Sequence, residues 1–395
     1  MRAIFATAAT VAAGAAAITF HQGGDAQSST SPTARYIMDV STDGGMMGNP
    51  MAAMLGGGGG TRHSLRLRLG SSLAPNGGNP VADHFMPAVA NLGPSVRLVS
   101  PERAAGQDMP AEFRRPKGRL LIYWGCGAQA GPGQPVVIDF AKVAAGQFPP
   151  GLFSVSVPAE RGPEPGSSRS YGDWPNAKDR KSAARVGSII GEHRIAGNYS
   201  PEIKFALAQD FMPALSARST PLPGGATTMS WAPIAGATGY YAWAMGGKSM
   251  GQDDADMVWW TSASAKEFGG GLSDWLAPAT VTRLIGQKIV MPPSQTSCAI
   301  PAQVKEASGG MLMSMLYAYG PEQNFAYPPR PADPRAVWHP EWTARVRYRS
   351  MTMLMPGMPA MNGAMESDGD DQGSKKRCKP GLGGMLGGML GGKNC

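Results

Sequence analysis

The stretch Arg62-His-Ser-Leu-Arg-Leu-Arg-Leu-Gly-Ser-Ser72 places Leu65, Leu67 and Leu69 at every second position, with Arg66 and Arg68 between them. Side chains of a β-strand project alternately to its two faces, so the pattern predicts a strand with a buried leucine face and a wet arginine face. Outward from it, ARYIMDVST, SVRLVS, GRLLIYWGCG, PVVIDFAKV, LFSVSVPA and PEIKFALAQ read as further short strands separated by Pro/Gly turns. The 395 residues include 54 Gly and 35 Pro, too many for a mainly helical protein. Repeated short strands predict an all-β chain of antiparallel β-sandwich type. The polar, Lys/Arg-rich segment 176 to 190 reads as a helix decorating a connection.

A second unit begins near Pro213. TTMSWAPIAGATGYYAWAMGG sets Met229 and Trp231 two apart, passes through Pro-Ile-Ala-Gly-Ala-Thr-Gly, and enters Tyr240, Tyr241, Ala242 and Trp243. Over residues 226 to 245 this resembles a fibronectin type III or related immunoglobulin-like module, in which a strand with a core Trp turns into an aromatic strand. The resemblance implies that MVWWTS, GQKIVMP, GGMLMSMLYAYG and finally WTARVRYRS complete that sandwich, with an insertion at 269 to 285. The expected layout is therefore two tandem sandwiches, 36 to 210 and 211 to 355. Beyond them, 356 to 395 carries a GGML repeat between acidic, basic and Gly-rich patches, a composition expected to stay disordered.

The first residues combine Arg2, an apolar run from Ala3 to Phe20 and a small-x-small site at Gly24-Asp25-Ala26. That order matches a secretory signal over 1 to 26 rather than a membrane anchor, since the run is short and Ala/Thr-rich. An exposed Ser/Thr-rich leader follows at 27 to 35. The expected address is periplasm, cell surface or medium, with no transmembrane helix in the mature chain. There the four cysteines are expected to pair, Cys126 with Cys298 in apolar, strand-like surroundings and Cys378 with Cys395 in the polar tail. Net charge is +8 with only 16% charged residues, compatible with an acidic polysaccharide or lipid headgroup partner and too weak for nucleic acid.

Local signatures of chemistry are few. AWAMGGKS, residues 242 to 249, fits a loose phosphate-loop pattern, but no helix with apolar spacing follows to receive a phosphate. It reads instead as a hairpin turn at Gly246-Gly247. Methionine is abundant, 25 residues, and Met351, Met353, Met355, Met358, Met361 and Met365 have spacings that suit Cu(I) or Ag(I) in a flexible segment. Asp368 and Asp370 open like a calcium loop whose essential twelfth ligand is Lys379, and Asp253, Asp254 and Asp256 read as a solvated loop. His339, beside Glu341 and two Trp in WHPEWT, is the most suggestive histidine, yet no GxSxG elbow supplies a nucleophile.

One further row is Arg345, Arg347 and Arg349, which period two places on one sheet face, as it does Arg66 and Arg68. Such a row suits carboxylated polysaccharide or lipid phosphate. These readings together predict an exported, non-catalytic envelope or extracellular binding or structural protein without a cofactor. The alternatives are a periplasmic copper binder using Met351, Met353, Met355 and Met358, and a hydrolase without a local motif.

Overall fold

The computed structural model describes residues 29–49, 60–101, 118–145, 147, 157, 162–179, 186–248, 256–267, 270–333 and 335–356. The expected signal, the Asp368 loop, Met358, Met361, Met365, Cys378, Cys395 and nearly all of the strand expected at 152 to 159 lie outside them.

Most of the expected stretches become strands, but GQKIVMP, 286 to 292, does not: it holds a helix end, a turn and one isolated bridge, Tyr240↔Met291. In chain order the strands are β1 (Ala34–Gly45), β2 (Arg62–Ser71), β3 (Val81–Phe85), β4 (Val96–Val99), β5 (Arg119–Trp124), β6 (Val136–Asp139), β7 (Ser170–Trp174) and β8 (Gly191–Gly197). There follow β9 (Ile203–Leu207), β10 (Ala217–Pro221), β11 (Thr227–Trp231), β12 (Gly239–Lys248), β13 (Asp256–Thr261), β14 (Ser297–Ile300), β15 (Leu312–Tyr327) and β16 (Trp342–Leu354). Three short helices intervene, α1 (Phe140–Ala144), α2 (Pro278–Gly286) and α3 (Ala302–Ala307). The helix expected at 176 to 190 is not formed in its described residues, where Asn176 instead caps a tight turn by accepting from the amides of Lys178 and Asp179.

Among the described residues, thirteen strands make one sheet in the order β6-β5-β13-β12-β15-β16-β1-β2-β7-β4-β3-β8-β9, and β10-β11-β14 make a second. The expected boundary near 210 does not divide the sheet. β1 pairs in parallel with β16 from Ala34↔Trp342 to Gly45↔Met353, and β5 pairs in parallel with β13. The N-terminal half thus flanks the strands β13-β12-β15-β16 on both edges, and every other strand pairing is antiparallel.

Two apolar clusters cover the sheet. One joins Tyr36, Met38 and Val40 with Leu65, Leu67 and Leu69, and continues to Tyr240 and Ala242 under Met229 and Trp231 of the small sheet. The other joins Tyr241, Tyr317 and Tyr319 with Val281 and Leu284 of α2. Pro278 begins that helix, where a missing amide costs nothing, and the three-residue spacing of Val281 and Leu284 turns one face to the sheet. Leu67 and Leu69 are fully buried, each contributing about 1.5–3 kcal/mol.

The second face of β1 and β2 is not wet as period two implied. Arg66 is exposed, but Arg68 is buried and donates to Asp39 at 2.8 Å. Gly162 lies against this face, where a β-carbon would sit 2.7 Å from Nη1 of Arg68 and 3.0 Å from Ile37.

Candidate functional site

One cleft gathers the ends of several strands. β15 leaves the sheet after Tyr327, crosses a Pro-rich connection, and returns as β16 at Trp342. That connection is tied down at Trp338, whose indole donates to the Pro328 carbonyl at 3.1 Å and whose own carbonyl accepts the Thr30 amide at 3.0 Å. Trp338 and Trp342 line the cleft with Phe325 and Tyr36, and its volume is about 800 Å³. The strong β-formers around it account for the local fold, and the prolines keep the connection from continuing the ladder.

Four cations, Arg35, Lys204, Arg330 and Arg345, line the same cleft, and among the described residues no carboxylate, histidine or cysteine does. Arg345 is ion-paired with Glu322 and Lys204 with Glu202, both at 2.6 Å. Arg35 and Arg330 are exposed and have no carboxylate partner among the described residues. The Arg330 guanidinium lies 5.3 Å from the Trp338 ring centre, a cation–π contact that leaves its N–H groups free to donate. A cleft lined by one sign of charge and walled by apolar rings concentrates anions.

Beneath the floor runs a hydrogen-bonded chain. Tyr36 Oη lies 2.7 Å from His84 Nδ1, His84 Nε2 lies 2.9 Å from His193 Nδ1, and His193 Nε2 lies 2.8 Å from the Ile189 carbonyl. A carbonyl only accepts, so His193 carries its proton on Nε2. With both imidazoles neutral, His84 then donates from Nε2 and Tyr36 donates its hydroxyl to His84 Nδ1. Burial holds both histidines below the usual imidazole range, most strongly His84, which His193 depresses further. Phe205 stacks on His193 at 5.1 Å and on Phe325 at 4.9 Å, so the chain and the cleft share a wall.

The residues singled out by the sequence fall elsewhere or in altered roles. Arg345 reaches the cleft, but Arg347 is 2% exposed and bonded to Asp39. Arg349 packs 3.4 Å from the Trp275 ring centre and donates to the Ser273 carbonyl at 2.9 Å, and burial lowers its pKa. The row is therefore not a free cationic face, because the segment bearing Ser273 and Trp275 covers it. Met351 and Met353 pack with the Tyr317 and Met315 cluster, where their thioethers fill apolar space, and Met355 follows the end of β16. Among the described residues no group of three or more His, Cys, Asp or Glu is placed to hold a metal.

The Cys126–Cys298 disulfide forms with an S–S length of 2.06 Å and joins the loop after β5 to β14. His339 is exposed, with Nδ1 3.2 Å from Thr30 Oγ1, and Asp256 is paired with Arg119. The turn expected at Gly246-Gly247 is absent, because β12 runs through both glycines to Lys248, which registers with Asp256 of β13. Gly246 is required there by close approach, since a β-carbon would strike the Met311 carbonyl oxygen.

Sequence reasoning passed over Arg35, Tyr36, His84, His193, Lys204 and Arg330, and took Trp338 only as a neighbour of His339. Their only local signal is an aromatic or basic residue at a strand end, and Pro-Arg-Pro before Trp338 marks a rigid connection. Neither the known protein-family models nor the curated protein sequences contain a match to this chain.

Proposed function

We propose that this chain is an exported, non-catalytic binding protein that holds an acidic polysaccharide in the cleft between β1, β9, β15 and β16. The observation that carries the reading is the combination of Trp338 and Phe325 with four cations, and with no carboxylate among the described lining residues. Pyranose rings offer an apolar C–H face to an indole, and uronate carboxylates accept the paired N–H groups of arginine.

A fibronectin type III-like module over 211 to 355 is part of the same reading. Its support is the split of that region into β10-β11-β14 and β13-β12-β15-β16, with Trp231 of β11 tilted against Tyr240 of β12 at 5.4 Å. Titration calorimetry with polygalacturonate oligomers and with neutral dextran tests the function. Binding of the uronate alone, weakened by salt and lost in Trp338→Ala and Arg330→Ala, is expected. Equal binding of dextran, or no binding of either, overturns the reading.

A further inference from the structure

Arg35 lines two pockets. Besides the aromatic cleft, it borders a second pocket of about 390 Å³ at the ends of β1, β2 and β7. By register Arg35 stands between Thr343 of β16 and Gly70 of β2, so its exposed side chain rises where the two pockets adjoin. The character of the lining changes across it. On one side are Trp338 and Phe325, and on the other are hydroxyls, among them Ser31, Thr33 and Ser168, with Arg169 as a second cation.

The second pocket is built rather than incidental. Gly70 lets the loop before β7 lie against β2, since a β-carbon there would overlap Ser168 Oγ and sit 2.7 Å from Pro163. The Arg169 amide donates to Ser71 at 3.0 Å and Ser170 Oγ donates to Leu73 at 2.6 Å, which fixes that loop. Ser71 Oγ donates to the Thr33 carbonyl at 3.2 Å, which fixes the approach to β1. Arg35 and Arg169 are both exposed, and among the described residues neither has a carboxylate partner and no carboxylate lines this pocket.

From this we infer that the site takes an extended uronate-bearing chain, with one part stacked in the aromatic cleft and the next lying across Arg35 among the hydroxyls and Arg169. Each volume is within the range of ligand pockets, roughly 300–1,000 Å³. Hydroxyl side chains both donate and accept, as sugar hydroxyls do, and guanidinium pairs with carboxylate. Two linked subsites make the second contact intramolecular, so affinity rises with chain length once both are filled. The inference rests on the binding reading above and adds to it the polymeric nature of the ligand.

Calorimetry with oligogalacturonates of two, four and six units separates the two. The expected result is a gain of at least about tenfold between the dimer and the hexamer. Arg169→Ala is expected to abolish that gain while leaving dimer affinity and the melting temperature unchanged, because the Arg169 side chain is exposed and belongs to neither core cluster. Arg169→Glu is expected to abolish it likewise. Length-independent affinity, or an unaltered gain in both variants, overturns the extended track and leaves the cleft reading standing. Failure of every oligomer to bind overturns the cleft reading itself, and so does binding to vesicles of phosphatidylglycerol in place of the oligomers.

Discussion

Asp39 of β1 accepts from Nε of Arg347 of β16 at 2.7 Å, a bond between residues 308 positions apart in the chain. The other carboxylate oxygen accepts from Arg68 of β2 at 2.8 Å. All three residues are buried, so a single carboxylate is shared by two guanidiniums inside the sheet that joins the halves of the chain. Arg347 also donates to the Trp275 carbonyl at 3.0 Å, which ties the covering segment to the same network.

Asp39→Asn keeps the shape and removes the carboxylate charge that the two buried guanidiniums share. A loss of about 3–5 kcal/mol is expected from urea unfolding. Replacing all three together, Asp39→Leu with Arg68→Met and Arg347→Met, is expected to recover most of that loss, because apolar side chains need no partner. A triple variant as unstable as Asp39→Asn would show that the network is needed for more than its own neutralisation.

Stability is expected to fall in acid through His84 and His193. Both are held neutral in the folded chain, with pKa depressed by burial, whereas unfolded imidazole titrates near 6.5. Unfolding therefore takes up protons, so the contribution is complete above about pH 6.5 and is lost as pH drops below it toward the folded values. The loss deepens as pH falls and is larger for His84, the more strongly depressed of the two. Comparing the slope of stability against pH in wild type and in His84→Leu with His193→Leu checks this, and equal slopes would refute it.

Tyr36→Phe removes the donor to His84 and strands Nδ1 of a buried ring. A cost of about 1–3 kcal/mol is expected, with folding otherwise intact, measured by the denaturation midpoint. The chain of donors also predicts that His193 resonates in nuclear magnetic resonance as the tautomer protonated on Nε2.

Gly246→Ala is expected to destabilise by about 1–3 kcal/mol, since Ser308 Cβ at 2.9 Å and Leu312 Cδ2 at 3.0 Å close the space along with the Met311 carbonyl. Lys248→Ala, at an exposed strand end, is expected to stay within about 0.5 kcal/mol of wild type. ATP added to either protein is expected to leave the melting temperature unchanged. A nucleotide-dependent rise lost in Lys248→Ala would restore the phosphate-loop reading of AWAMGGKS.

Cys298→Ala opens a link between residues 172 apart in the chain, and a cost of about 2–5 kcal/mol is expected. Thermal unfolding with and without dithiothreitol measures it, and the reductant is expected to have no effect on the variant.

The sequence alone determined many of the strands and their apolar faces. Leu65, Leu67 and Leu69 point inward because a period of two is a local property of an extended backbone, and the same holds for Tyr36, Met38 and Val40. The pairing of Cys126 with Cys298 was also legible, since both lie in apolar strand-like stretches. Only the tertiary structure decided which strands become neighbours. The parallel join of β1 to β16 depends on packing and register between segments about 300 residues apart, and nothing in either segment encodes the other's position. The same holds for the faces between the leucines, where Arg68 and Arg347 look like wet residues until Asp39 and Trp275 arrive to pair and cover them. The cleft is the clearest case, because Arg35, Lys204, Arg330 and Trp338 come from distant segments and share no local pattern, only the space that folding brings them to line.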